Sequence, residues 1–146
     1  MRACVDTNIL TSYLIAPPSD NLLSNIVRGA LRGAFTLVVA ELTLTELSRR
    51  VQSKPYLVDR ISIAMLNQFV ASLREIAEVY PLPSDPLPRV VRDPRDDYLL
   101  APAVLEQVDY LVSGDNDLLD LGAFQGVRMV SPREFVDILD ASPGLA

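Results

Sequence analysis

Residues 2–10 read RACVDTNIL, and this short stretch decides the fold class. Its apolar start, Arg2 to Val5, predicts a strand, and Asp6-Thr7-Asn8 predicts a turn that opens a helix over Ile9 to Ile15. The same alternation of β-branched apolar runs with helical segments continues along the chain. It predicts an α/β protein with a mainly parallel sheet of about four to five strands. The other predicted strands are Phe35 to Val39, Glu78 to Tyr80, Tyr110 to Val112 and Val127 to Val130.

The predicted helices have apolar residues at three- and four-residue spacing. After a break at Pro17 to Asp20, they cover Leu22 to Leu31 with a stop at Gly33, Glu41 to about Val51, Leu57 to Ala77, Asp96 to about Gln107, and Pro132 to Leu139. Ser131 is predicted to cap the last of these helices. Pro81 to Pro94 is predicted to be an ordered loop because its five prolines exclude a regular helix or a central strand.

Length and composition predict one domain over residues 1–146, with 141–146 as a loose tail. Hydrophobic residues make up 49% of the chain, which suffices for one buried core. No apolar stretch approaches the roughly 20 residues that cross a bilayer, and the N-terminus lacks the pattern of a secretory signal. We therefore expect a cytoplasmic protein without a membrane segment. The single cysteine, Cys4, is expected to be a buried structural thiol.

The absence of histidine narrows the possible chemistry. Without it, and with one cysteine, the chain cannot build a zinc site of the usual His/Cys type, a Ser-His-Asp triad or a Cys-His pair. Catalysis would rely on carboxylates, hydroxyls, Lys, Arg or a bound hard cation. The net charge of −6 disfavours non-specific coating of nucleic acid, although acids crowded around a metal ion would contribute to that total.

Four acids stand where a cation site could form. Asp6 directly follows the first predicted strand, and Asp115 follows the strand over residues 110–112, so both should emerge at the same edge of the sheet. Glu46 lies in the helix after the second strand, and Asp97 in the first turn of a later helix, and either could lean over that edge. Because Mg²⁺ and Mn²⁺ prefer oxygen ligands, this set predicts a metal site that could activate water for attack on a phosphodiester.

Each of these acids also has an ordinary structural interpretation. Asp6 could be a helix N-cap, Asp97 could complement a helix dipole, and Glu46 could be a solvated surface residue. The segment Asp115-Asn116-Asp117 could be only a turn. The inference therefore depends on the set of acids and not on any one of them.

Four motifs occur in order along nearly the whole chain: VDTNIL at 5–10, EL at 46–47, DPRDDYLLA at 93–101 and YLVSGDNDLL at 110–119. Together they resemble the PIN-domain ribonucleases, and most closely the VapC-like toxin components of prokaryotic toxin–antitoxin pairs. The resemblance implies a three-layer α/β/α sandwich and Mg²⁺- or Mn²⁺-dependent cleavage of RNA. It also implies a cognate antitoxin as partner and a homodimer formed through apolar helix faces.

The resemblance assigns roles to particular residues. The catalytic acidic quartet would be Asp6, Glu46, Asp97 and Asp115, and the metal ligands would be Asp6, Asp97, Asp115 and the accessory acid Asp117. Asp97 is preferred to Asp96 because it stands four residues before Ala101. Pro102 departs from the family pattern, since an interior proline removes a backbone hydrogen bond and bends the helix.

Small polar and basic residues accompany the acids. By the same resemblance, Thr7 and Ser113 match hydroxyl residues beside the site, and Asn8 matches the polar residue after the opening acid. The basic residues nearest to the acids in sequence are candidates for contacts with RNA phosphates, namely Arg49, Arg50, Lys54 and, before Asp97, Arg89, Arg92 and Arg95. Tyr56 or Tyr98 could stack on a base.

Two other classes of protein are compatible with acids at strand ends. A receiver-type phospho-acceptor module also gathers such acids, but it needs a lysine after a late strand, and Lys54, the only lysine, lies beside Pro55 in a predicted turn. A catalytically silent PIN-like protein that acts only through a partner is the second alternative. A calcium loop of the EF-hand type lacks its glycine and its terminal glutamate at Asp115-Asn116-Asp117.

Overall fold

Strands and helices alternate along most of the chain, as the apolar pattern predicts. A computed structural model describes residues 1–15, 22–81 and 94–141, with the backbone alone for Leu23 and residues 94–99. The elements are β1 (Arg2–Val5), α1 (Thr7–Ile15), α2 (Leu22–Leu31), β2 (Thr36–Ala40), α3 (Glu41–Ser53), α4 (Pro55–Val58), α5 (Ile63–Ile76), β3 (Glu78–Tyr80), α6 (Pro94–Leu105), β4 (Tyr110–Val112), α7 (Asn116–Leu121), β5 (Ala123–Phe124), β6 (Val127–Val130) and α8 (Pro132–Asp140).

The described strands form a six-stranded sheet in the order β3-β2-β1-β4-β6-β5. All neighbouring pairs are parallel except β5 with β6. Val5 of β1 is in register with Val112 of β4, which in turn is in register with Val130 of β6. The predicted mainly parallel sheet is therefore confirmed, with one strand more than the four to five expected.

Alternate residues of the strands enter two separate cores, one on each face of the sheet. Ala3 and Val5 of β1 and Val112 of β4 belong to the first core, whereas Cys4 and Leu111 belong to the second. Helices α1, α2, α3, α5 and α8 cover the first face, and α6 and α7 cover the second. This division follows from the two-residue period of a strand, and it confirms the three-layer α/β/α sandwich.

One predicted helix is two helices in the structure. The apolar spacing from Leu57 to Ala77 predicted a single helix, but α4 and α5 are separated by a turn. Ser62 begins α5 as its N-cap, with its Oγ accepting a hydrogen bond from the backbone N of Met65 at 3.1 Å. Leu57 and Ile61 are both buried, so the apolar pattern runs through the turn and hides it.

Two short elements were not predicted. Helix α7 begins where only a turn was expected, and the two residues of β5 are too few to show an alternating pattern. Gln125 and Gly126 join β5 to β6, and both have positive φ, 46° and 89°. A two-residue hairpin turn of this kind requires positive φ at both positions and matches the twist of the strands.

The predicted helix ends are mostly correct. Ser131 and Glu134 form a reciprocal capping box at the start of α8, and Gly33, with φ of 82°, follows α2. Helix α6 begins at Pro94, two residues before the predicted start. The breaks predicted at Pro17 to Asp20 and within the loop at 82–93, and the tail after residue 141, lie outside the described residues. Among the described helices, none combines the length and the apolar character needed to span a membrane.

Cys4 is buried, as predicted, with 1% of its surface exposed. Burial raises the pKa of its thiol to about 12, an effect that a contact of 3.9 Å between its Sγ and the Tyr80 Oη partly offsets. A thiol that ionises less readily in the folded state stabilises the fold below its unfolded pKa of about 9. This contribution is lost as the pH rises from about 9 towards 12.

We expect the free energy of unfolding to fall when the pH is raised from 8 to 10.5, with Cys4 contributing on the order of 2 kcal/mol to that fall. Urea titrations of the wild type and of Cys4→Ala at both pH values measure this contribution. The variant, although less stable at pH 8, should lose less stability than the wild type over this interval. An equal loss in the two proteins would show that Cys4 does not titrate as described.

Candidate active site

The candidate site lies where the strand order reverses. From β1 the chain continues to β2 on one side, whereas β4 pairs with β1 on the other side. The carboxyl ends of β1 and β4 therefore meet at the position where open parallel sheets bind their ligands. Pairing continues one residue past each strand, because the backbone N of Asp6 donates to Val112 O at 3.1 Å and that of Ser113 donates to Val130 O at 3.1 Å.

A chain of hydrogen bonds joins three of the predicted acids, Asp6, Asp115 and Asp117, at this edge of the sheet, which we call the acidic edge. Ser113 Oγ donates to Asp6 Oδ2 at 2.8 Å and accepts from the backbone N of Asp115 at 3.0 Å. Asp115 Oδ1 in turn accepts from the backbone N of Asp117 at 2.8 Å. Ser113 is 1% exposed, so its hydroxyl forms a buried bridge between a residue at the end of β1 and one after β4.

Asp6 and Asp115 also cap helices, which confirms the structural interpretation of Asp6 as an N-cap and gives Asp115 the same role in place of the expected turn. Asp6 Oδ1 accepts from the backbone N of Ile9 in the first turn of α1 at 3.1 Å, and Asp115 is the N-cap of α7. Each carboxylate oxygen has about two lone pairs, so these hydrogen bonds leave acceptor positions on both acids. Both side chains are only partly buried, which leaves them accessible to a ligand.

Helix α3 passes over the same edge. It begins directly after β2, and Arg50, in its third turn, donates a hydrogen bond from Nη1 to Asn8 Oδ1 at the start of α1. Glu46 precedes Arg50 by four residues and therefore lies on the same face of the helix. Its side chain is partly buried. The fold thus brings the helix face that carries Glu46 to the rim of the acidic edge.

Asp97 is placed by its backbone alone. It lies in the first turn of α6, which packs on the second face of the sheet and leads by a short connection into β4. Because α6 precedes a parallel strand, its first turn lies at the carboxyl edge of the sheet, as predicted. The side chains of Arg95, Asp96 and Asp97 lie outside the described residues, so the choice between the two acids stays a prediction.

The described donors suit a hard cation in their chemistry but do not complete a metal site. Asp6 and Asp115 offer carboxylate oxygens, the ligands that Mg²⁺ and Mn²⁺ prefer. Within the parts of the chain with described side chains, no group of three or more acidic or cysteine side chains is arranged to hold a metal ion. A complete site therefore needs a further ligand, and Asp97, in the first turn of α6, is the predicted candidate.

The remaining predicted residues differ in their surroundings. Thr7 is buried next to Asp6, and its carbonyl accepts from Thr11 Oγ1 at 2.9 Å. Arg49 and Lys54 are exposed, and Arg50 is partly buried.

The contact of Arg50 with Asn8 was not predicted, because nothing in the sequence relates residues so far apart. Lys54 lies between α3 and α4 and not after a late strand, where a receiver-type module would need its lysine.

Comparison with known proteins places the chain in one family. The family model for the PIN domain matches residues 2–117, and the chain therefore belongs to the PIN domain family. No curated protein matches the chain. Its fold is similar to VapBC2 from Rickettsia felis, solved bound to a DNA fragment from its promoter, with a TM-score of 0.59, 13% identity, and coverage of 90% of this chain and 98% of that one.

A second solved structure, PAE2754 from Pyrobaculum aerophilum, is also similar to this chain. Its TM-score is 0.54 at 15% identity, and the match covers 97% of this chain and 91% of that one. At these identities the two structures support the fold and leave the roles of individual residues open. The predicted PIN-like fold of the VapC kind is confirmed by the family model and these neighbours together.

Ser113→Ala should lower the free energy of unfolding by about 1–2 kcal/mol, because it removes a buried donor to Asp6 and the acceptor for the amide of Asp115. Thr45→Ala is the matched control, since it removes an exposed hydroxyl that donates to Glu41 O at 3.1 Å. The control should change stability by no more than about 0.5 kcal/mol. Urea denaturation measures both values, and equal effects would argue against a structural bridge at Ser113.

Proposed function

We propose that the chain is a divalent-metal-dependent ribonuclease and the toxin of a toxin–antitoxin pair. The observation that carries the proposal is the hydrogen-bonded chain from Asp6 through Ser113 to Asp115 at the reversal of strand order. Membership of the PIN domain family and the likeness to the VapBC2 fold support it. The lack of histidine in the sequence agrees with a mechanism based on carboxylates and a hard cation.

The metal would be held by Asp6, Asp97, Asp115 and the accessory acid Asp117, with Glu46 as the fourth member of the acidic quartet. When bound, Mg²⁺ or Mn²⁺ would lower the pKa of a water molecule and stabilise the charge that develops on the phosphodiester. Ser113 would keep the Asp6 carboxylate in one orientation through its 2.8 Å hydrogen bond. Asp6 would also benefit from the positive end of α1, which it caps.

An antitoxin and a second copy of this chain belong to the same proposal. VapBC2, to which the fold is similar, was solved bound to promoter DNA. By that likeness we propose a cognate antitoxin that covers the acidic edge, and a homodimer in the cytoplasm. The alternative of a catalytically silent PIN-like protein is distinguished by turnover, because such a protein would bind its partner without cleaving RNA.

Replacing Asp6 or Asp115 by asparagine should abolish RNA cleavage and leave the fold intact. Each change removes one negative charge from the acidic edge while asparagine can still accept the capping hydrogen bond. The control is Asp140→Asn, an exposed acid at the end of α8 and at the opposite edge of the sheet. Gel assays of a labelled RNA, with circular dichroism as the check on folding, measure the effect. Full activity of both site variants would contradict the assignment.

Removing the metal should stop cleavage reversibly. We expect EDTA to abolish turnover, Mn²⁺ or Mg²⁺ to restore it, and calorimetry to detect Mn²⁺ binding that Asp6→Asn weakens strongly. The Asp140→Asn control should bind Mn²⁺ as the wild type does. Turnover that persists in EDTA would refute metal dependence, and Mn²⁺ binding without any RNA turnover would support the silent, partner-binding alternative.

A further inference from the structure

A basic surface adjoins the acidic edge in an otherwise acidic protein. Residues 49–60 contain four of the chain's 13 cationic residues and a single acid, Asp59, whereas the whole chain has a net charge of −6. We call Arg49, Arg50, Lys54, Tyr56 and Arg60 the basic strip. All of them are exposed except Arg50, which is partly buried.

One residue of the basic strip, Arg50, contacts the candidate active site. Arg50 is its end nearest to the site, because its guanidinium donates to Asn8, two residues after Asp6. From Arg50 the chain passes through the end of α3 to Lys54 and into α4. A ligand that extends from the acidic edge along α3 would therefore meet these cations next.

Tyr56 is presented on a fixed support. Its side chain is 59% exposed, although the adjacent Leu57 is fully buried. Pro55 starts the single turn of α4, and Ile61, just after it, is also buried, so the backbone on both sides of Tyr56 is anchored. An exposed aromatic ring between cations is the combination that binds unpaired bases, which stack on the ring while cations contact the phosphates.

We infer that the basic strip binds the single-stranded part of an RNA substrate as it leaves the acidic edge. Lys54 and Arg60 contact phosphates, and the ring of Tyr56 stacks on an unpaired base. Duplex RNA does not fit this role, because its bases are already stacked and paired. The inference rests on the proposed ribonuclease function and adds to it the surface that selects an unpaired strand.

An alternative occupant of this surface is a protein. Val58 and Ile63 are 51% and 65% exposed close to Tyr56, and such aliphatic side chains would suit a protein partner better than RNA. The concentration of positive charge and the link to the acidic edge through Arg50 favour RNA. Binding of a protein partner in place of RNA would overturn the inference.

The binding test uses a fluorescent, non-cleavable 2′-O-methyl RNA of about 12 nucleotides, a length within the range that single-strand-binding grooves occupy. Fluorescence anisotropy in EDTA reports affinity independently of catalysis. Tyr56→Ala should weaken binding about tenfold, whereas Tyr56→Phe, which retains the ring, should bind as the wild type does.

The double variant Lys54→Gln, Arg60→Gln should reduce the slope of log affinity against log salt by about 1.4, at roughly 0.7 per phosphate contact.

The control for charge is Arg32→Gln, an exposed arginine in the turn that leads into β2, at the opposite edge of the sheet from the site. It should leave both the affinity and the salt slope unchanged. A duplex of the same sequence should bind the wild type at least tenfold more weakly than the single strand does. Equal affinity for the single strand and the duplex would overturn the inference. Wild-type affinity in both the Tyr56→Ala variant and the Lys54→Gln, Arg60→Gln double variant would overturn it as well.

The cleavage test separates this inference from the proposed function. If the chain is a ribonuclease, Tyr56→Ala should lower kcat/KM about tenfold for the long RNA and leave a trinucleotide, too short to reach the basic strip, unaffected. Absence of cleavage by the wild type would contradict the proposed ribonuclease function. The anisotropy results would still decide whether the basic strip binds RNA. Unchanged RNA binding together with lost binding of a protein partner in Tyr56→Ala would assign the surface to that partner and overturn the inference.

Discussion

The parallel pairing of β1 with β4 is the constraint on which the site depends. The register places Val5 opposite Val112, and the pairing continues one residue further through the amide of Asp6. A shift of one residue would turn Val5 and Val112 out of the first core and move Asp6 away from Ser113. The two buried cores therefore fix the same register that brings Asp6 and Asp115 together. In this fold, stability and the geometry of the acidic edge have a common physical origin.

Asp6 and Asp115 serve the fold and the proposed chemistry at once. Each caps a helix, and each is joined to the other through the buried hydroxyl of Ser113. Capping uses one oxygen of a carboxylate and restricts its rotation, which leaves the remaining acceptor positions in a defined direction. The two interpretations that the sequence left open are thus compatible. Helix capping orients the acids, and an oriented pair of acids is a suitable start for a metal site.

The sequence predicted the fold well because its signals are local and repeated. Alternating apolar runs identify five of the strands, and Ser131 with Glu134 marks the start of α8. The turn at 59–62 could not be predicted, because Leu57 and Ile61 maintain a helical apolar spacing across it. At the site, the position of Asp6 and Asp115 followed from the rule for strand ends. The contact between Arg50 and Asn8 depends on how α3 crosses α1, a tertiary feature that no local pattern encodes.

We propose that a divalent ion binds between the end of β1 and the turn after β4. Paramagnetic broadening by Mn²⁺ in a ¹⁵N–¹H correlation spectrum tests it most directly, because broadening falls off steeply with distance from the ion. Substoichiometric Mn²⁺ should selectively broaden the amides of Asp6, Ser113 and Asp115 and leave Gly33 and Gly126 unaffected. Broadening centred on another part of the chain would contradict a metal ion at this position. So would broadening of the site amides that is no stronger than that of amides near exposed surface acids.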